Sequence, residues 1–122
     1  MKTILATDSN MNIRLLLEAE LGLEGYRVIL ASTGLETLKK IREEIPDLVI
    51  LDLRMPDMYD LQLLKTIREE NKDLRIVLST VYKRAQDNPT IGASGVAGYF
   101  IKPFGINRLK ATIKQSLADK RA

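Results

Sequence analysis

Five short apolar runs alternate with five stretches of helical periodicity, and this alternation leaves few folds open. The runs are TILAT, YRVILA, DLVILDL, LRIVLST and GYFI. Each is too short for an ordinary helix and is bounded by polar or turn residues, so each reads as a strand. DLVILDL constrains the fold most. It is apolar at odd and even positions alike, as a central parallel strand covered by helices on both faces must be. Strands that alternate with helices build a parallel sheet through right-handed crossovers. The expected fold is therefore α/β, a doubly wound five-stranded parallel sheet in three α/β/α layers.

The helical stretches carry their own boundaries. Ile13, Leu16, Leu17 and Leu21 recur at helical spacing, and Gly22 to Gly25 ends that helix. Thr33 and Glu36 have the spacing of a capping box, with Leu35, Leu38 and Ile41 on one face behind them. Pro46 bars further helix, because the residue before proline disfavours the α region. Leu61, Leu64, Lys65 and Ile67 mark a third helix that runs to about Glu70. The fourth, in KRAQDNPTIGASG, is poor. Pro89, Gly92 and Gly95 all weigh against helix there, so a short or mobile element is expected. The last helix turns Ile106, Leu109, Ile113 and Leu117 inward and its lysines outward. With no repeat and no linker, residues 1–122 are expected to form one domain, with 118–122 as a flexible tail.

Composition removes several chemistries. The chain is 45% hydrophobic and 29% charged, enough for one ordinary core. It has no cysteine and no histidine, which excludes disulfides, thiolate sites, Ser-His triads and histidine-bound zinc. Any metal must be hard and oxygen-bound: magnesium, manganese or calcium. MKTILATDSN has neither a signal-peptide core nor the start of a membrane span, so the expected location is the cytoplasm. The net charge is +3. Arg108, Lys110, Lys114, Lys120 and Arg121 form the densest basic stretch. They read as a solvated helix face, since no aromatic residues are interleaved for stacking on nucleic acid.

Four polar residues close apolar runs: Asp8, Asp52, Thr80 and Lys102. In an open parallel sheet the ligand crevice lies beyond the carboxyl ends of the strands. Two carboxylates, a hydroxyl and an ammonium would meet there, the parts of a phosphoryl-accepting pocket. Asp8, Ser9 or Asn10 could cap the first helix, and for Ser9 a cap is the favoured role.

Over its whole length the chain resembles the receiver domains of two-component response regulators, of the single-domain type. PDLVILDLRMPDM around Asp52, LSTVY around Thr80 and GYFIKPF around Lys102 carry the resemblance. It implies a flavodoxin-like sheet with strand order 2-1-3-4-5. It implies that Asp52 accepts a phosphoryl group from a sensor histidine kinase or a phosphotransfer protein. Lys102 would supply fixed positive charge, and Thr80 a hydrogen bond to a phosphoryl oxygen. Asp8, Asp52 and the backbone carbonyl of Arg54 would hold Mg2+. Pro103 would follow a cis peptide bond. Tyr99 would swing as Thr80 moves. Met11 and Phe104 flank the pocket as candidate partner contacts. The signal would leave through a downstream protein, from a monomer or weak homodimer, with at most slow self-dephosphorylation.

The match breaks at Ser9, where the family normally has a second, metal-binding acid. At 4 Å and an effective dielectric of ~20, a unit charge and a dication attract by roughly 8 kcal/mol before desolvation. Mg2+ should therefore bind weakly. Arg54 either stays solvated or swings in and partly replaces the ion. Val81 stands where a smaller residue is usual, and Tyr59 and Asp60 replace a common Asp-Gly pair. An alternative reading follows from these departures: a pseudo-receiver that binds partners without productive phosphorylation.

Overall fold

The computed structural model describes residues 1–59, 61–84 and 87–118. Among the described residues five strands and five helices alternate: β1 (Thr3–Thr7), α1 (Met11–Leu23), β2 (Arg27–Ala31), α2 (Gly34–Glu44), β3 (Leu48–Asp52), α3 (Gln62–Glu70), β4 (Arg75–Thr80), α4 (Pro89–Ala93), β5 (Gly98–Ile101) and α5 (Ile106–Ala118). The strands form one parallel sheet in the order β2-β1-β3-β4-β5. This is the doubly wound, flavodoxin-like arrangement.

Two apolar clusters lie on opposite faces of the sheet. One joins Ile4, Ala6, Leu48, Ile50, Val77 and Phe100 to α1 and α5. The other joins Leu5, Val49, Leu51, Ile76 and Leu78 to α2, α3 and α4. All five β3 residues are buried, as a strand covered on both faces requires.

Some helix faces differ from the expected ones. Leu17 and Leu21 are buried in α1, but Leu16 is 51% exposed. Leu35 is 67% exposed, because it lies in the first turn of α2, beyond the sheet's reach. In α3 the buried set is Leu63, Leu64 and Ile67, with Lys65 outside. Thr33 caps α2 by accepting from the Glu36 amide. The Glu36 carboxylate reaches back to the Ser32 amide, one residue before the cap, so the capping box is extended by one position.

The fourth helix is short, with five residues. Pro89 does not oppose it. It occupies the first turn, where a missing N–H costs nothing, and Asn88 caps it. Arg68 of α3 ties down the far end, donating to the carbonyls of Ser94, Asn71 and Leu74 at 2.6, 3.2 and 2.6 Å. Ala118 is the last residue of α5, so the helix takes the first residue of the expected tail. Residues 119–122, Asp60 and residues 85–86 lie outside the described set.

Candidate functional site

Side chains alternate along a strand, so parity assigns each strand-end residue to a face. Asp8 follows the parity of Ile4 and Ala6, Asp52 that of Leu48 and Ile50, and Lys102 that of Phe100. All three belong to the α1/α5 face, at the carboxyl edge of the sheet. Thr80 has the opposite parity, with Ile76 and Leu78.

The three residues on the shared face meet. Lys102 Nζ lies 2.5 Å from Asp8 Oδ2 and 3.0 Å from Asp52 Oδ2. Each carboxylate also accepts a backbone N–H on its other oxygen: Asn10 N donates to Asp8 Oδ1 at 2.9 Å, and Arg54 N donates to Asp52 Oδ1 at 3.0 Å. Arg14 donates to the Asp8 carbonyl, which anchors α1 to the end of β1. The Lys102–Pro103 peptide bond is cis.

Burial dominates the protonation chemistry. Asp52 is only 4% exposed. Removal from water raises its pKa above the ordinary value, and the negative charge of Asp8 adds to the rise. The Arg54 amide and the Lys102 ammonium oppose this but do not cancel it. For Lys102, burial works against the charge. Hydrogen bonds to Asp8 and Asp52, and their charges, outweigh it and raise the pKa above the ordinary lysine value. The ammonium is therefore permanently charged in the neutral range.

A cavity of about 560 Å³ opens over the three residues, and Ser9, Arg54 and Val81 also line it. The cap of α1 is Asn10, which accepts from the amides of Asn12 and Ile13; Ser9 does not cap. A cap must stand one residue before the first helical position, and the turn held by Asp8 moves that position to Met11. Arg54 is exposed and makes no ion pair among the described residues, since both carboxylates are engaged by Lys102. Met11 is exposed, and Val81 partly so.

Thr80 and Tyr99 do not line this cavity. Thr80 is fully buried, and its hydroxyl accepts from the Tyr82 amide at 3.1 Å, which leaves its own proton free to donate. Tyr99 is half-buried against the α2–α4 cluster. Phe104 is half-buried, and its ring packs on Phe100 with centroids 5.2 Å apart.

Thr7 carries a role that sequence reasoning missed. Its hydroxyl accepts from the Asp52 amide and donates to the Ile50 carbonyl, both at 3.0 Å. The β1–β3 pairing ends at Ala6 and Ile50, so this side chain continues the ladder where the backbone stops. Thr7→Val preserves shape but leaves a buried N–H and C=O unpaired. It is expected to lower stability by about 2–3 kcal/mol. Urea unfolding of both proteins measures this, and equal midpoints would show that the bridge is dispensable.

A lysine that bridges two buried carboxylates at the carboxyl edge of this sheet defines a class of signalling domain. Residues 4–114 match the response regulator receiver domain family, and the chain belongs to it. Members of that family are phosphoacceptor switches in two-component signalling. They bind Mg2+ at the phosphorylation site and interact with histidine kinases or phosphotransfer proteins and with downstream effectors.

Sporulation initiation phosphotransferase F of Bacillus subtilis (strain 168) is 32% identical over 117 residues, which cover 96% of this chain and 94% of that protein. Transcriptional regulatory protein ZraR of Klebsiella oxytoca is 36% identical over 118 residues, covering 97% of this chain. The chain spans only 27% of the length of that relative. The crystal structure of response regulator TrrA from Thermotoga maritima, in complex with Mg(2+)-BeF, is similar with a TM-score of 0.86 at 39% identity, covering 95% of this chain and 99% of that one. Among the described residues no helix is long and apolar enough to cross a membrane.

Proposed function

We propose that this chain accepts a phosphoryl group on Asp52 from a phosphohistidine of a sensor kinase or phosphotransfer protein. One observation carries the reading: a buried carboxylate on the central strand, open to a cavity, paired with an ammonium that cannot lose its charge. An Asp52 oxygen forms a bond to phosphorus, the P–N bond of the donor breaks, and the imidazole leaves and takes a proton. The product is an acyl phosphate. Burial leaves the Asp52 carboxylate less stabilised than in water, which favours its attack. Lys102 neutralises charge on the moving group, and Thr80 has a free hydroxyl proton to donate once it turns toward the cavity.

The donor set suits a magnesium ion. Mg2+ is held by one or two carboxylates and keeps several waters. Asp8, Asp52 and the Arg54 carbonyl would hold it, and it would supply positive charge to the phosphoryl oxygens when bound. No cluster of three or more acids, histidines or cysteines is present among the described residues, and Lys102 already occupies one oxygen of each carboxylate. Affinity is accordingly low. Arg54 sets part of it, as a cation lining the same cavity. Arg54→Ala is expected to bind Mg2+ several-fold more tightly than wild type in a calorimetric titration. Equal affinity would remove Arg54 from the metal balance.

Partner recognition has a surface beside the cavity. Met11, Leu15, Ala19 and Leu23 recur every four residues along α1 and are all exposed, as is Leu16. Such a stripe suits an apolar flank of a phosphodonor helix, and its Met11 end adjoins Asn10 at the cavity rim. The response would leave through the α4–β5–α5 face, where the short fourth helix is the element most easily moved.

Intact-mass measurement after acetyl phosphate and Mg2+ tests the reading. One added phosphoryl group on wild type and none on Asp52→Asn is the expected outcome. No label under any donor would favour the pseudo-receiver reading, which no observation of the structure otherwise supports.

A further inference from the structure

Ser79 is buried, and its hydroxyl is the one buried side-chain polar atom without a hydrogen-bonding partner among the described residues. Buried hydroxyls are almost always paired, so an orphan next to a reactive group calls for an explanation. Ser79 is in register with Asp52 across the β3–β4 pairing, and it shares the parity of Val77. It therefore belongs to the α1/α5 face, with Asp8, Asp52 and Lys102.

Its place relative to Lys102 follows from the strand order. Lys102 follows β5 and Asp52 ends β3, with β4 between them. Neighbouring strands are ~4.8 Å apart, so the two backbones are separated by about 10 Å. Neither side chain spans that distance alone. They meet above β4, and Ser79 is the last β4 residue on that face. Its small side chain leaves room for the contact.

We propose that Ser79 is a positioning residue for the acceptor. Its hydroxyl, unpartnered at rest, donates to the carbonyl oxygen of the Asp52 acyl phosphate once Lys102 turns to the phosphoryl oxygens. The proposal rests on the reading of Asp52 as acceptor. At rest one Asp52 oxygen takes the Arg54 amide and the other takes Lys102. When the lysine follows the phosphoryl charge, Asp52 loses its side-chain donor, and the adjacent hydroxyl can replace it. A bond made only in the phosphorylated form favours that form, because only a difference between two states shifts their balance.

Removing the hydroxyl should therefore move two quantities in opposite directions. Ser79→Ala is expected to unfold at higher urea concentration than wild type when unphosphorylated, because an unsatisfied buried group is gone. Its ratio of phosphorylated to free protein at steady state with acetyl phosphate is expected to fall about fivefold, the worth of one net hydrogen bond. Ser79→Thr keeps the hydroxyl and should restore the ratio. A purely structural serine would move the urea midpoint and leave the ratio unchanged, and that result overturns the proposal. Two further outcomes separate its failure from that of the acceptor reading. If wild type takes no label, or Asp52→Asn labels as wild type does, the acceptor assignment fails and this proposal with it. If wild type labels at Asp52 and Ser79→Ala labels equally, only the role of Ser79 is lost.

Discussion

Asp52→Asn is expected to take up no phosphoryl group and to be more stable than wild type at neutral pH. The first result follows because an amide oxygen is no nucleophile toward phosphorus at this site. The second follows from the direction of the pKa shift. Burial raises the folded-state pKa of Asp52 above its unfolded value near 3.8. A group shifted upward contributes stability that is complete below the unfolded value and is lost as pH rises through the folded one. At neutral pH the ionised carboxylate is therefore a net cost, even with Lys102 beside it. The asparagine variant escapes that cost and keeps the Asp8–Lys102 pair. A gain is expected because the pocket then holds one carboxylate against one ammonium, where wild type holds two. Urea titrations from pH 4 to 7 should show the two proteins nearly equal at the acid end and diverging as pH rises. A wild type that is the more stable at pH 7 would contradict this account of the site.

Lys102→Met has the opposite consequence. It leaves two buried carboxylates facing each other without a cation. Breaking a buried pair in this way costs about 3–5 kcal/mol. Much of that should return on acidification, since burial already raises the pKa of Asp52 and protonating it removes the repulsion. The lysine itself adds no pH dependence in this range. Its pKa is raised above 10.5, so its contribution is complete below that value and is lost only in strong alkali. The variant should gain stability as the pH falls below neutral and should accept no phosphoryl group. Unchanged urea midpoints at pH 7 would mean that the ammonium does not hold the carboxylates together.

Much of the fold was legible because burial on two faces leaves a local mark. DLVILDL reads as a covered strand, and all five of its residues that form β3 are buried. The strand ends were legible too, since Asp8, Asp52 and Lys102 each break an apolar run. Helix faces were less legible. Leu16 and Leu35 have the right spacing but project beyond the sheet. Spacing states which residues share a stripe, not how wide a partner that stripe meets. Which of Asp8, Ser9 and Asn10 caps α1 was not legible, because Asp8 folds back on the Asn10 amide and that shifts the helix start past Ser9.

Contacts between distant segments left no such mark. Asp57 accepts from the amides of Gly34 and Leu35 at the start of α2, 23 and 22 residues away in the chain, and those bonds hold its carboxyl below the ordinary range. Thr7 looks like any strand-end threonine until β3 lies beside it. The order of apolar and polar residues along the chain was enough to dictate the strands, the helices and which charges reach the sheet edge, because each depends on neighbours within a turn or a pleat. Which carboxylate shares the lysine, which hydroxyl completes the ladder and which stays unpaired were decided only when the strands came together. A hydrogen bond needs its partner within about 3 Å, and in this sheet that partner is 43 to 94 residues away in the chain.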